Sequence, residues 1–352
     1  MSVTRPTPSR NITLADVARA AGLSRATVSY ALRRDPKIPA PTAARVQQLA
    51  MDLGYRPNLR IKSLMSAIRQ RHAAPRREPL AFVWLRTPRQ ITKLAPHLLY
   101  FSEAIRAGAR RRAEELGCTI EEFWLDDGDM RPERLNQILR ARGITGCVLN
   151  TAASHEPVAL DWDWSPFAAT IIGHTQFSPP LHRAAHHHYL GMCTALQRLQ
   201  QEGWRRPATL LSRSVQNRIR QMQVGAFLAN HPSPALAPSL WRFSLPEEFS
   251  ELPPWPADLE PDALIIQWQV DQPTVDRLHA KFPSLRRIVT LDWYAYGVLP
   301  GIDPLYHDVA AKAVDMVVEQ LHHNALGLPV HPANLLIEGA WRDQPIHSSP
   351  KT

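Results

Sequence analysis

Apolar residues recur every three or four positions in three short stretches near the start of the chain. They stand at positions 14, 17, 18 and 21, then at 28, 31 and 32, and then at 46, 49, 50 and 53. This spacing predicts three amphipathic helices. Gly22 ends the first helix, and Ser24 can cap the second. The first two form a helix-turn-helix pattern, and the third closes a small core.

From Leu80 onward the pattern changes, and short apolar runs alternate with amphipathic segments. The runs are "LAFVWL", "CTIEEFWL", "ITGCVLNT" and "FAATIIG", and later "PATLLS", "DALIIQW" and "RRIVTLDW". Strands that alternate with helices in this way predict parallel sheets covered on both faces. The sequence therefore predicts an α/β body of two doubly wound lobes.

Positive charge is concentrated at the N-terminus. Residues 1–79 carry fifteen Lys or Arg against four Asp or Glu, whereas the whole chain has a net charge of +9. The remainder is therefore close to neutral. A basic head on a neutral body is the charge distribution expected of a protein that binds nucleic acid.

Composition narrows the classes of protein to which the chain can belong. The chain lacks an apolar run near the ~20 residues needed to span a bilayer, and "MSVTRPTPSRNI" has no apolar segment typical of a secretory signal. The three cysteines, Cys118, Cys147 and Cys193, form no CxxC pair. We expect a cytoplasmic, nucleoid-associated protein without cofactors.

The second helix carries polar residues on its outward face. A solvated surface is the plain interpretation, but the basic context favours contact with DNA. Hydroxyl groups suit phosphates, Arg offers paired donors to guanine, and an Ala methyl can contact thymine. We expect contacts from Ser24, Arg25, Ala26, Thr27, Ser29, Tyr30 and Arg33.

The stretch "TLADVARAAGLSRATVSYALR", followed by "ARVQQLAMDLGYRPNLRIKSL", resembles the headpiece and hinge of the LacI/GalR family of bacterial transcription regulators. The resemblance implies DNA-binding roles for Thr13, Tyr55 and Asn58 as well. It also implies a hinge helix that inserts Leu64 into the minor groove and bends the duplex. Alternatively, Leu64 packs on the body within a plain linker. The family usually has Arg where this chain has Tyr30, so we expect a different base preference.

The late segments "DPLYHDVAAKAVDMVVEQLHHNALGLP" and "NLLIEGAWR" resemble the end of that family's effector domain. The resemblance implies the fold of periplasmic sugar-binding proteins, with a ligand cleft between two lobes and crossings near residues 182, 303 and 330. The fold class expected is thus an all-α helix-turn-helix headpiece plus a periplasmic-binding-protein-like α/β body. The segments expected are a disordered tail at 1–11, the headpiece at 12–58, hinge and linker at 59–79, the effector and dimerisation domain at 80–342, and a tail at 343–352.

The family's ligand-binding pattern is only partly present. Met222 stands where an Arg usually binds the ligand, and Trp268 with Gln269 replaces the usual Asn-Asp pair. Asp292 does match a ligand-contacting Asp. The candidate effector-binding residues are Asp292, Trp268, Trp293, Arg220 and His174.

Four histidines in "HRAAHHHYLG" raise the possibility of a metal site. His182 and His186 have the i, i+4 spacing that ligands on a helix require. Because no Cys or acidic residue accompanies them, solvated or cleft-lining histidines, including His187 and His188, are the favoured interpretation, and no metal is expected.

The function predicted is a homodimeric transcription regulator, most simply a repressor, which binds a palindromic operator and responds to a small sugar-like effector. A sugar-active enzyme with a DNA-localising head is the alternative, although phosphate-cradling and nucleophile-elbow motifs are missing from the sequence. A receptor for sugar uptake is a third class, and it would require export.

Overall fold

A computed structural model of the chain describes residues 14–32, 38–53, 77–85, 96–125, 130–151 and 157–343. Three helices lie at the N-terminal end: α1 (Leu14–Ala21), α2 (Arg25–Leu32) and α3 (Ala40–Asp52). A body of parallel sheets and covering helices begins at residue 77. Among the described residues, no helix has both the length and the apolar composition needed to cross a lipid bilayer.

The three helices enclose one small apolar core. Val17, Val28 and Val46 contribute one fully buried side chain from each helix. Gly22, with φ +67°, ends α1 in the left-handed conformation that glycine adopts without strain. The Gln47 amide donates to the carbonyl of Ala31 (3.1 Å), so α3 caps the last turn of α2. The helices and their apolar positions agree with the prediction.

The first lobe is built on a six-stranded parallel sheet in the order β2-β1-β3-β5-β7-β13. Strands such as β3 and β5 are buried along their whole length, as continuous apolar runs in parallel sheets require. The sheet strands are β1 (Glu78–Trp84), β2 (Cys118–Trp124), β3 (Gly146–Asn150), β5 (Ala168–Ile172), β7 (His182–His186) and β13 (Asn334–Ile337). The helices are α4 (Pro96–Glu115), α5 (Pro132–Arg142) and α10 (Tyr306–His323), and β4 (Val158–Ala159) pairs with β6 (Phe177–Ser178).

The second lobe has six strands in the order β9-β8-β10-β11-β12-β14, of which only the β12–β14 pair is antiparallel. Its strands are β8 (Pro207–Leu211), β9 (Trp241–Phe243), β10 (Ala263–Ile266), β11 (Arg287–Thr290), β12 (Gly301–Asp303) and β14 (Ala340–Arg342). Its helices are α6 (His188–Gln201), α7 (Arg213–Arg218), α8 (Met222–Asn230) and α9 (Gln272–Lys281). Three short 3₁₀ helices, at Ala237–Ser239, Pro246–Glu251 and Ala257–Leu259, accompany them.

The chain passes between the lobes three times, and two of the crossings differ from their predicted positions. The first lies at His187 rather than near 182, because residues 182–186 form strand β7 of the first sheet. The second lies at residues 304–305, close to the position expected. The third lies at residues 338–339 rather than near 330, because "NLLI" completes the first sheet before "AWR" joins the second.

The first and third crossings meet beside one buried side chain, His186. A Cβ built on Gly339 would lie 2.9 Å from the His186 ring and 2.6 Å from Ile302, and one built on Gly191 would lie 3.1 Å from the same ring. The backbone N–H of His187 donates to the carbonyl of Ile337 (2.8 Å). The hinge between the lobes is therefore closely packed and depends on glycine at position 339.

Candidate nucleic-acid interface and interlobe cleft

Helix α2 is held with one face in the three-helix core and the other toward solvent. Val28 and Ala31 are buried, whereas Ser24, Arg25 and Ala26 at its N-terminal end are exposed. Thr27, Ser29 and Tyr30 are half-buried. The predicted contact residues that the structure describes thus share one short helix and its cap.

Ser24 has a structural role as well as an exposed position. Its Oγ accepts from the backbone N–H of Thr27 at 3.0 Å, and the two hydroxyl groups lie 2.8 Å apart. The predicted N-cap is therefore confirmed, and the hydroxyl of Ser24 is partly occupied by the helix. Five predicted DNA-binding residues lie outside the described residues: Thr13, Arg33, Tyr55, Asn58 and Leu64.

The second candidate site is the interlobe cleft, where the carboxyl ends of the two sets of parallel strands come together near the crossings. On one side the aromatic ring of Tyr100 in α4 lies 5.6 Å from that of Tyr294, which follows β11. On another, the ring of His174, after β5, lies 5.1 Å from that of His188 at the start of α6. Ligands of open α/β sheets commonly bind at such strand ends.

A chain of buried polar side chains runs through the second-lobe side of this cleft. The Gln223 amide lies 3.4 Å from His188 Nδ1, and the amide of Gln216 donates to Gln223 Oε1 at 2.5 Å. The same amide lies 3.3 Å from Gln267 Oε1, and the Gln267 amide lies 3.5 Å from Asp292 Oδ2. Sequence reasoning missed the three glutamines, since glutamine has no distinctive spacing.

Among these hydrogen-bonded polar side chains, two oxygen atoms are buried without a hydrogen-bond partner among the described residues. They are Oε1 of Gln216 and Oδ1 of Asp292. Burial raises the pKa of Asp292 to about 7, against the opposing effects of the nearby Arg218 charge and the Gln267 hydrogen bond. An unsatisfied buried acceptor is unfavourable by about 1–3 kcal/mol, so both atoms would gain from a ligand that donates hydrogen bonds.

The cleft histidines are held in the neutral form. Burial lowers the pKa of His174 to about 4 and that of His186 to about 3, and it lowers that of His188 as well. His174 Nε2 donates to the carbonyl of His186 (2.8 Å). His182 and His186 lie on a strand, not on the helix that a pair of i, i+4 ligands requires. In the part of the chain that the structure covers, no cluster of His, Cys, Asp or Glu is arranged to hold a metal ion.

Arg218, which was not among the candidate effector-binding residues, influences the pKa values of cleft side chains. Helix α7 ends at Arg218, and Arg220 and Gln221 have φ of +55° and +59° before α8 begins. This break changes the angle that a continuous helix would give. The charge of Arg218 lowers the pKa values of His174, His188 and Asp292. The charge of Arg220, which is exposed, lowers the pKa of Arg183.

The two candidate tryptophans differ in position. Trp268 follows β10 and is half-buried. Trp293 is buried, its ring lies 5.7 Å from the Arg342 guanidinium, and its backbone N–H donates to the carbonyl of Ile302 (2.8 Å). The ring of Trp293 is therefore engaged by the edge of the second sheet.

Comparison with known proteins gives one family and several structural relatives. Residues 13–58 match the family described as bacterial regulatory proteins, lacI family. The HTH-type transcriptional regulator PtxS of Pseudomonas plecoglossicida is 30% identical over 145 residues, a match that spans 41% of this chain and 37% of that regulator's length. The matched family and the matched relative are both described as regulators, and the chain spans little more than a third of that relative's length.

Two solved structures share the fold. The transcriptional regulator CelR–cellobiose complex covers 95% of this chain and 99% of its own, with 17% identity and a TM-score of 0.50. A protein from Rhizobium etli described as a transcriptional regulator of the LacI family covers 75% and 97%, with 13% identity and a TM-score of 0.53. These likenesses agree with the predicted headpiece and two-lobed α/β body. Over residues 13–58, the chain is thus similar to the lacI family of bacterial regulatory proteins.

Proposed function

We propose that the protein is a repressor that binds a palindromic DNA operator as a homodimer and releases or tightens it when a small molecule occupies the interlobe cleft. The observation that carries this proposal is the exposed polar end of α2, held by a three-helix core within the segment that matches the lacI family. The excess of positive charge in residues 1–79 supplies the attraction to phosphate that such binding requires.

Arg25 is the leading candidate for reading bases. It is exposed at the first position of α2, next to Ala26, and the N-terminal end of a recognition helix is the part that contacts base edges. Ser24, Thr27, Ser29 and Tyr30 lie beside it. Outside the described residues, we assign phosphate or groove contacts to Thr13, Arg33, Tyr55 and Asn58, and the groove-inserting role to Leu64.

A dimer follows from the size of the module. One short helix reads only a few base pairs, whereas two such modules related by a twofold axis read two inverted half-sites. The doubled contact area and phosphate count raise both affinity and specificity. The α/β body, with two lobes that meet in a polar cleft, is the part of the chain that can alter the spacing of the modules when a ligand changes its closure.

The experiment is selection of sheared genomic DNA by the purified full chain, followed by footprinting of the enriched sites. We expect a palindromic consensus and a dimer in sedimentation at micromolar concentration. Arg25→Ala should relax one position of each half-site and weaken binding by about 1–3 kcal/mol. Arg19→Ala, which removes an exposed charge from α1, is the matched control.

Two results would contradict the proposal. The first is equal binding of palindromic and random duplexes at moderate ionic strength. The second is a uniform loss of affinity for every DNA sequence after Arg25→Ala, which would make Arg25 a phosphate contact.

For Leu64, we expect Leu64→Ala to reduce DNA bending in a fluorescence-transfer assay while the melting temperature is unchanged. Unchanged bending would make Leu64 part of a plain linker.

A further inference from the structure

The last strand of the first sheet, β13, has an open edge. It lies at the end of the strand order, and β7 is its one neighbour among the described strands. None of residues 333–337 is buried, whereas β3 and β5 are buried throughout. The segment that leads into β13 is also apolar, and its side chains Leu326, Leu328 and Val330 are 37%, 49% and 87% exposed. Apolar surface therefore continues from this segment along the edge of the sheet.

The open edge of β13 lacks the charges that usually protect such edges. Exposed edge strands are commonly blocked by charged side chains or by proline. The other three edge strands of the two six-stranded sheets follow this rule, since β2 contains two glutamates, β9 contains Arg242 and β14 contains Arg342. Residues 324–337, in contrast, contain no Lys, Arg, Asp or Glu. Among the described edges of these two sheets, β13 is therefore the one at which a further strand can pair without burying a charge.

The pairing of β13 with β7 determines which backbone groups face the open side. The carbonyls of Ala333 and Ile337 accept backbone N–H groups from β7 and from the residue that follows it, at 2.9 and 2.8 Å. Because successive residues of a strand direct their N–H and C=O groups to opposite sides, those of Asn334 and Leu336 point away from β7. Pro332, which has no N–H, ends this row on one side. The open side of β13 thus offers a short row of donors and acceptors around Leu336.

This row of backbone groups is complementary to a second copy of itself. An antiparallel pair centred on Leu336 places each Asn334 opposite Glu338 of the second copy. It also places each Leu335 opposite Ile337 of the second copy, on the other face of the pair. Directly opposed side chains in an antiparallel pair interact, so the exposed Asn334 amide can donate to the exposed Glu338 carboxylate. A twofold axis repeats every one of these pairs, which is the self-complementarity that a contact between identical chains requires.

We propose that the open edge of β13 binds a second copy of this chain, by antiparallel pairing of residues 334–338 about Leu336. The first sheets of the two copies then form one continuous sheet. An extended segment of another protein could fill the same edge, but it would have no reason to match Asn334 and Glu338 at both ends of the row. The symmetric register therefore favours the second copy.

The direction of the pairing decides what this contact can do. Strand β1 begins at Glu78, close to where the chain enters the body, and it runs parallel to β13 in the first sheet. Antiparallel pairing of β13 therefore places the two entry points at opposite ends of the joined sheet. Because an operator-binding dimer needs two helix-turn-helix modules on one duplex, the edge contact suits the joining of two such dimers. This consequence, unlike the contact itself, rests on the proposed function.

The test is sedimentation velocity of the full chain without DNA, over a concentration series that rises from the micromolar range. We expect the mass of the species found at low concentration to double as the concentration increases. Asn334→Lys should strengthen this association at least three-fold, because the new ammonium group lies opposite the Glu338 carboxylate of the second copy. Asn334→Lys together with Glu338→Lys should weaken it at least ten-fold relative to the wild type, because like charges then face each other at both ends of the row.

Gln201→Lys together with Glu260→Lys is the matched control, since it changes the net charge by the same amount at exposed positions of the second lobe. The melting temperature checks that each variant folds. Hydrogen exchange of the peptide that spans residues 334–338 locates the contact, and the exchange should slow as the mass doubles.

Four results would overturn the inference. They are a constant mass at every concentration, a double variant at residues 334 and 338 that associates as strongly as the wild type, an equal loss in the matched control, and a doubled mass without slower exchange at residues 334–338. Exchange that is already slow at the lowest concentration would also overturn it, because the chain itself would then cover the edge. The DNA selection described above tests the proposed function separately, so the two failures are distinguishable.

Discussion

The side-chain amide of Gln267 lies 3.5 Å from Oδ2 of Asp292, while Oδ1 of the same carboxyl group is buried without a partner among the described residues. A single long hydrogen bond does little to stabilise a buried charge. The carboxyl group of Asp292 therefore holds its proton near neutral pH, and burial raises its pKa to about 7.

Asp292→Asn should stabilise the protein at high pH. The folded-state pKa is raised above the unfolded value, so the wild-type free energy of unfolding loses the Asp292 contribution as pH rises from about 4 to about 7. The complete loss is on the order of 4 kcal/mol, since each unit of pKa is equivalent to about 1.4 kcal/mol, and it is reached above pH 8. Urea unfolding at pH 5 and pH 8 measures it. The free energy of unfolding of the variant, relative to that of the wild type, should increase from pH 5 to pH 8. A difference that stays constant would refute the raised pKa.

Alanine substitutions at two glycines of the body should change the free energy of unfolding in opposite directions. Gly339→Ala places a Cβ 2.6 Å from Ile302 and 2.8 Å from the Asp303 carbonyl at the third crossing, so it should lower the free energy of unfolding by about 1–3 kcal/mol. Gly225→Ala lies within α8 with nothing within 4 Å of the new Cβ, and it should raise stability by about 0.5–1 kcal/mol. Thermal unfolding of both variants checks the difference, and equal shifts would contradict it.

The double role of Ser24 is separable by substitution. Ser24→Asp retains an oxygen that can accept from the Thr27 N–H, so the melting temperature should remain near that of the wild type, but its charge should weaken DNA binding at least ten-fold. Ser24→Ala should instead lose about 1 kcal/mol of stability with the cap. Fluorescence anisotropy on one duplex at two salt concentrations measures binding. Wild-type affinity in the Asp variant would remove Ser24 from the DNA-binding face.

Two adjacent glutamates on β2 provide a further comparison. Glu122 has a side chain only 13% exposed, and it accepts from Trp84 Nε1 (2.9 Å), Arg106 Nε (3.1 Å) and Arg110 Nη2 (2.5 Å). Glu122→Ala leaves the buried indole N–H of Trp84 without an acceptor, while Arg106 keeps its ion pair with Glu103, and it should lower stability by about 1–3 kcal/mol. Glu121→Ala breaks only an exposed ion pair with Arg142 and should change it by less than about 1 kcal/mol. Similar losses in the two variants, by urea unfolding, would contradict this ranking.

The apolar pattern predicts most of the fold because buried parallel strands must be apolar on both faces. The strand β7 escaped prediction because its sequence, "HRAAH", is polar at both ends. Its polar groups are satisfied locally: His182 Nδ1 accepts from the Ala333 N–H (3.1 Å), and Arg183 donates to the Gly173 and Thr175 carbonyls. Hydrogen bonds of this kind depend on loops distant in sequence, so a local pattern does not reveal them.

The cleft shows a second limit of prediction from sequence. Asp292 and His174 were identified as candidates. Asp292 belongs to the row of buried polar side chains, and the ring of His174 lies beside that of His188 at its other end. Arg218 was not among the candidates. Two residues of positive φ, Arg220 and Gln221, lie between α7 and α8 and interrupt the helical spacing that a sequence pattern assumes. Neither residue is glycine, so the sequence gives no sign of the break.

The arrangement of the last strands has a consequence for truncation. Strand β13 forms one edge of the first sheet, and β14, which begins three residues after it, forms one edge of the second. Deleting residues 334–343 would uncover the hydrogen-bonding edges of β7 and β12 together. Exposed edges are templates for pairing with other chains, so a protein shortened by so little would be expected to aggregate through both lobes rather than lose one of them.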